Sequence, residues 1–251
     1  MTNTVCTVDT IRPIEHDEAM DLADAEYERL LTLVDSLRDS DWSQPTDCIG
    51  WSVQDILRHL LGMLKLQASP AELGRQVSAA NELSERNGTV RLHELTALQV
   101  AEHAHLTPTE LTAALHETAP LGLAARRALP PERRAQPYDS KLPGEQPWTI
   151  GHLFDIIHTR DPWVHRVDIC RATGHPLALT ADHDGRIIEN VVADWAARHG
   201  QPFDLTLTGP AGRHFGAGTT DTEIVLDAVE FCRILSGRTP GTGLLATHVV
   251  F

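Results

Sequence analysis

The sequence predicts a mainly α protein: a four-helix bundle over residues 1–180, followed by a small α+β domain over residues 181–251. Three observations predict it. Four long segments carry apolar residues at helical spacing and are bounded by capping residues. At least one connection between them is long, the mark of a bundle with a crossover. After about residue 180 the pattern changes to short alternating runs between turn residues, which reads as helix plus a small antiparallel sheet.

The first helix is expected over residues 15–39, where Met20, Leu22, Ala23, Tyr27, Leu30, Leu31, Val34 and Leu37 form a broad apolar stripe. A loop, DWSQPTDCIGW, follows, rich in Pro, Gly, Asp and Ser. Ser52 reads as the N-cap of a helix to about Ala68, with Val53, Ile56, Leu57, Leu60, Leu61 and Leu64 as its stripe. Residues 70–105 are less regular, a helix to about Arg86 and then a long crossover. Thr107-Pro108-Thr109-Glu110 combines an N-cap, a proline at the first helical position and a capping-box glutamate. The helix it opens runs to about Leu129, where Pro130 and Pro131 close it. A polar loop, PERRAQPYDSKLPGEQP, leads to the last long helix, from about Thr149 to Thr173, with Gly174 as its cap and Pro176 beyond. In the smaller domain a helix over Asp184–His199 precedes strands over Phe203–Thr208, His214–Ala217 and Glu223–Leu226. A short helix ending in Ser236-Gly237-Arg238 and a final strand, Leu245–Phe251, complete the reading.

Composition narrows the function. With 35 acidic against 21 basic residues the net charge is −14, which argues against nucleic acid as a partner; the acidity serves solubility. No apolar run approaches the roughly 20 residues of a membrane span, so no membrane partner is expected. The N-terminus lacks a charged region followed by an apolar stretch, and no signal peptide is read there. Cys6, Cys48, Cys170 and Cys232 are scattered without a CxxC pair. They fit reduced thiols in a cytoplasmic protein better than a disulfide framework.

The chemistry concentrates in RDPWVHRVDICRATG, residues 160–174. Asp161 and His165 are four apart, so on a helix they project from one face. With Asp161 at 0°, His165 falls at about 40°, Asp168 at about −20° and His158 at about 60°. His59 lies about 120° from the centre of its own helix's stripe, beside Ile56, Met63 and Leu66, and so borders a second buried face. Two imidazoles and one carboxylate leave an open position on a divalent ion, the composition of a catalytic rather than a closed structural metal site. Asp168 is then placed to orient the His165 ring from behind. The same pattern also reads as an aspartate–imidazole pair on a solvated helix face, and Asp168 as a salt-bridge partner of Arg171. Pro162 sits between the two candidate ligands; inside a helix it removes a hydrogen bond and frees the carbonyl of His158. A helix boundary at Asp161 is the alternative. Trp42 and Trp51 flank the first loop, either packing the bundle end or lining a pocket mouth.

The pair PTDCIGWSVQDILRHLLG and RDPWVHRVDICRATG resembles the DinB-like superfamily, in particular its mycothiol-dependent maleylpyruvate isomerase family. The likeness extends through EFCRILSGR and so spans most of the chain from about residue 18. The resemblance implies a DinB-like four-helix bundle holding a divalent metal, commonly zinc, and a small C-terminal domain resembling sterol-carrier proteins. Carried over position by position, the metal ligands are His59, Asp161 and His165. The family commonly has glutamate at the position of Asp161, which leaves the identity of the metal open.

The function implied is a divalent-metal-dependent enzyme that uses mycothiol or a similar low-molecular-weight thiol. It acts on a small electrophile by thiolate addition, ending in isomerisation, S-transfer or thiol exchange. Asp168 and His158 are its candidate orienting or acid–base residues. Arg238, with Arg233 second, is the candidate for holding a substrate carboxylate. Two other readings stand beside it: a metal-dependent hydrolase that activates water, and a non-catalytic small-molecule-binding module.

Overall fold

A computed structural model describes residues 5–145 and 147–251. The chain divides into two compact units, His16–His175 and Pro176–Phe251, the latter together with the N-terminal segment up to Glu15. That segment carries strand β1 (Cys6–Thr7), which pairs within the second unit. The N-terminal segment, expected to belong with the bundle, is grouped with the second unit.

The helical unit comprises α1 (His16–Asp35), α2 (Val53–Ala68), α3 (Pro70–Asn87), α4 (Arg91–Glu102), α5 (Pro108–Arg127), a single turn α6 (Pro131–Arg134) and α7 (His158–Thr173). Helices α1, α2, α5 and α7 pack about one core, while α3 and α4 pack against α2. The caps act as expected. Ser52 and Asp55 close a reciprocal capping box on α2, and Thr107 and Glu110 do the same on α5. Helix α2 is buried almost all round, because one side carries Leu57, Leu60, Leu61 and Leu64 and the other His59, Gly62, Met63 and Leu66. Each fully buried leucine there contributes about 1.5–3 kcal/mol of transfer free energy, so α2 anchors the unit.

Two segments differ from expectation. The crossover after Arg86 contains α4, whose N-cap, Val90, makes no side-chain hydrogen bond and whose one buried residue is the polar Gln99. Without an apolar stripe or a cap, nothing in the sequence announces it. The polar loop after Pro131 holds α6 and a small antiparallel hairpin, β2 (Pro137–Tyr138) with β3 (Trp148–Thr149). A π-helical turn over His152–Ile157 then leads directly into α7.

In the second unit a π-helical turn (Ala181–Gly185) leads into α8 (Arg186–His199), and Trp195 packs against Phe203 and Phe231. The sheet, in order β1-β5-β4-β6, uses β4 (Phe203–Thr208), β5 (His214–Ala217) and β6 (Glu223–Asp227). It is mixed, not antiparallel as expected: β4 pairs antiparallel with β5 but parallel with β6. The outer edge of β5 is taken by β1, so β6 pairs along the other edge of β4. Asp227 caps α9 (Ala228–Leu235). The expected last strand, Leu245–Phe251, is not a strand. A 3-10 turn over Gly243–Ala246 opens it, and Val249 donates a 3.0 Å bond to the Leu235 carbonyl. Among the described residues no helix is long and apolar enough to cross a membrane.

Candidate metal centre

The first loop delivers its residues to the helical unit through a tight turn. Trp51 N–H donates to the Cys48 carbonyl at 2.9 Å, and Gly50 between them has φ +84°, a conformation that costs other residues strain. Trp51 thus sits immediately before the Ser52 cap, with its ring 5.4 Å from that of His59 and 6.3 Å from that of His165. It lies on the site, against both imidazoles.

The structure brings His59, Asp161 and His165 together. One oxygen of Asp161 lies 3.4 Å from His59 Nε2 and 3.4 Å from His165 Nε2. Asp161 is the most exposed of the three at 15 % of its side chain, so solvent reaches the trio along the carboxylate.

Each imidazole is fixed from behind by its other nitrogen. His165 Nδ1 is 3.0 Å from Asp168, which is fully buried and can only accept. His59 Nδ1 is 2.7 Å from Gln99 Oε1. The amide of Gln99 donates to Gln76 Oε1 at 2.8 Å, and Gln76 Nε2 donates to Glu72 at 2.9 Å. A carboxylate accepts at the far end, so the relay has one direction, and His59 carries its proton on Nδ1. Both rings therefore turn Nε2 lone pairs toward Asp161 when neutral.

Burial alone would raise the pKa of Asp161, but the charges and hydrogen bonds of His59 and His165 hold it well below the usual carboxylate range. Burial likewise opposes protonation of His165, and Asp161, Asp168 and Cys48 together overcome it, raising its pKa well above the ordinary value. Without a cation, a protonated His165 offsets part of the charge of the two carboxylates on either side of it.

These residues fit a divalent ion. Ligand atoms about 2.0–2.1 Å from a tetrahedral centre lie about 3.3–3.4 Å apart. Both nitrogen–oxygen distances match that edge, and all three ligand atoms lie within 4.8 Å of one another. A second grouping, Cys48, His165 and Asp168, uses the opposite nitrogen of His165, with Cys48 Sγ 3.5 Å from Asp168 and 3.9 Å from the ring. A cation there would have to displace the proton that Asp168 accepts.

His158 is brought near but outside the trio. Its ring packs on Phe154 at 4.8 Å, and its Nδ1 has no hydrogen-bond partner among the described residues. Burial, then the charge of Arg126, pushes its pKa down to about 3. Arg233 and Arg238 belong to the other unit. Arg233 is buried on α9 and paired with Glu230; Arg238 follows the helix, its N–H bonded to the Arg233 carbonyl. Gln99 and Gln76 were missed by sequence reasoning, because a buried amide in a helix of weak periodicity leaves no local signal.

The fold and these side chains define a helical-bundle protein with a candidate cation site carried by α2 and α7. Residues 23–170 match the family described as the mycothiol maleylpyruvate isomerase N-terminal domain, and the chain belongs to that family. All three candidate ligands lie inside the matched segment; Arg233 and Arg238 lie outside it. Two crystal structures share the fold. That of the mycothiol-dependent maleylpyruvate isomerase is 16% identical, with a TM-score of 0.59 over 94% of this chain and 93% of that one. A histidine-to-alanine variant of that enzyme is 15% identical, with a TM-score of 0.60 over the same shares. No curated protein sequence matches the chain.

Proposed function

We propose that this protein is a divalent-metal- and thiol-dependent enzyme that acts on a small electrophile, isomerising it with mycothiol as the enzymes sharing its fold do by name. The observation that carries the reading is the convergence of two Nε2 lone pairs and one carboxylate oxygen at 3.4 Å spacing, each ring held in its tautomer from behind. His59, Asp161 and His165 would hold the ion, with zinc the first choice for two nitrogens and an oxygen. When bound, the ion supplies Lewis acidity that lowers the pKa of a thiol and so makes a nucleophile available at neutral pH.

The remaining residues orient and screen. Asp168 holds the His165 ring and accepts its Nδ1 proton. Glu72, Gln76 and Gln99 do the same for His59 in sequence. Trp51 covers both rings and excludes water from one side. His158 packs on Phe154 beside the centre, and burial and the charge of Arg126 keep its imidazole neutral at physiological pH. Arg238, with Arg233 second, stays the sequence-based candidate for holding a substrate carboxylate. A cytoplasmic location fits the free cysteines.

The test is metal content with a thiol screen. Purified protein is expected to hold one divalent ion per chain, lost in His59→Ala and His165→Ala, and to turn over maleylpyruvate only with mycothiol added. Thiol-independent hydrolysis would establish the water-activating alternative instead. No bound metal, with ligand binding unchanged in both variants, would leave a binding module.

A further inference from the structure

One arginine occupies a position that the cation site itself does not explain. Pro162 has no N–H, so the carbonyl of His158, four residues earlier, lacks its helical donor. That carbonyl accepts instead from Arg126 Nη1 at 3.1 Å, across from α5. Nη2 of the same guanidinium donates to Thr159 Oγ1 at 2.8 Å, and the Thr159 hydroxyl donates onward to the Asp155 carbonyl at 2.9 Å. Asp155 lies in the π-helical turn that precedes α7. One planar fork thus serves both irregular stretches of backbone.

The location of the break matters more than its existence. The turn left open by Pro162 runs from His158 to residue 162, and Asp161 projects from it. Arg126 is only 1 % exposed, and its Nη hydrogen bonds go to a carbonyl and a hydroxyl, with no carboxylate in salt-bridge contact among the described residues. Its Nε has no hydrogen-bond partner among them. A buried guanidinium without a counter-ion is costly, so its presence has to be offset by what its donors hold in place. A lysine could not serve both acceptors with the same geometry, because its ammonium is a point donor rather than a fork.

We propose that Arg126 is a positioning residue for the metal centre: it supplies the donor that Pro162 lacks and fixes the open turn of α7 from which Asp161 reaches both imidazoles. The inference rests on the reading of His59, Asp161 and His165 as a cation site. Its mechanism is mechanical. Asp161 has a short side chain, so its carboxylate position follows the backbone closely, and a metal centre tolerates ligand displacements of only about 0.5 Å.

A double-mutant cycle tests it on the full chain: wild type, Arg126→Met, Pro162→Ala and the pair. The readouts are the zinc dissociation constant by chelator competition and the thermal midpoint of the metal-free protein. Arg126→Met is expected to weaken zinc binding about 10–100-fold, the range seen when a group supporting a ligand is removed. In the Pro162→Ala background residue 162 again has an N–H for the His158 carbonyl, and the same change is expected to cost only a few-fold. Arg126→Lys, which keeps the charge, is expected to fall between wild type and Arg126→Met; should Arg126→Met fail to fold, the cycle is run with the lysine variant. Zinc affinity within about twofold of wild type in the single variant, or an equal loss in both backgrounds, overturns the proposal. A wild-type chain that binds no zinc overturns the cation reading and this inference with it.

Discussion

Gly62 gives the sharpest test of how His59 is held. A Cβ built there would lie 2.5 Å from Gln99 Cγ and 2.6 Å from Gln99 Cβ. Ordinary carbon contacts begin near 3.4 Å, so Gly62→Ala demands a retreat of nearly 1 Å. Gln99 cannot yield by rotating its tip, because its Cβ is itself in contact; α4 has to move. The 2.7 Å bond from His59 to Gln99 would then stretch toward the limit of a hydrogen bond, and the relay to Gln76 with it. Overpacking costs about 1–3 kcal/mol and the lost bond about 1 kcal/mol more. For a unit of this size each kcal/mol lowers the melting temperature by about 2–4 °C, so a drop of about 4–16 °C is expected. Zinc affinity is expected to fall about 10–100-fold, since the freed ring can turn Nε2 away from Asp161. Thermal unfolding of the metal-free protein and chelator competition measure the two effects. Gly74→Ala is the control: its Cβ meets nothing within 4 Å on α3, so a stabilisation of about 0.5–1 kcal/mol and unchanged affinity are expected. If Gly62→Ala destabilises the protein yet binds zinc as tightly as wild type, Gln99 does not position His59.

Three further outcomes follow from the same geometry. Asp168→Asn keeps the shape but can present an amide N–H to His165 Nδ1, so zinc affinity should fall about 10–100-fold; an unchanged dissociation constant would remove Asp168 from the site. His158 titrates near pH 6.5 when unfolded and near 3 when folded, so its folded state stays neutral while the unfolded chain takes up a proton. Its contribution to stability is therefore complete above pH 6.5 and is lost on acidification, about 2 kcal/mol between pH 7 and 5; denaturant titrations of metal-free His158→Phe should lack that slope, and parallel acid limbs would contradict it. Ser52→Ala removes the cap of the helix that carries His59 and should cost about 1 kcal/mol, visible as a lower urea midpoint with unchanged slope; an unshifted midpoint would show that the cap is dispensable.

The elements that could be read from the sequence are those whose constraints lie close together along the chain. Helices α1, α2, α5 and α7 each bury an apolar stripe, and α2 and α5 start at side chains that satisfy their own first turns. Helix α4 escaped because what it buries is Gln99, which periodicity scores as solvent-facing. Leu245–Phe251 was misread for the opposite reason. Its apolar residues suit a strand, but the segment opens on a 3-10 turn and Val249 bonds to the end of α9, a docking that no local pattern reports.

The same division runs through the candidate metal centre. Asp161 and His165 were legible because four-residue spacing on a helix is enough to bring two side chains together, and His59 because it stands off its own stripe. What fixes their donor atoms was not legible, since every such group comes from a different element: Gln99 from α4, Gln76 from α3, Arg126 from α5. Pro162 announced a carbonyl without a donor but not where the donor would come from. That asymmetry has a physical basis. A ligand need only be present on the right face, which the chain specifies locally, whereas a tautomer or an open backbone turn is settled by a partner that arrives through packing. It also bears on the departure at Asp161. A glutamate reaches further and can adjust through an extra torsion; an aspartate has its oxygen placed by the backbone. A centre built on aspartate therefore depends more on the helix that carries it, and here that helix is held at its break by a side chain from its neighbour.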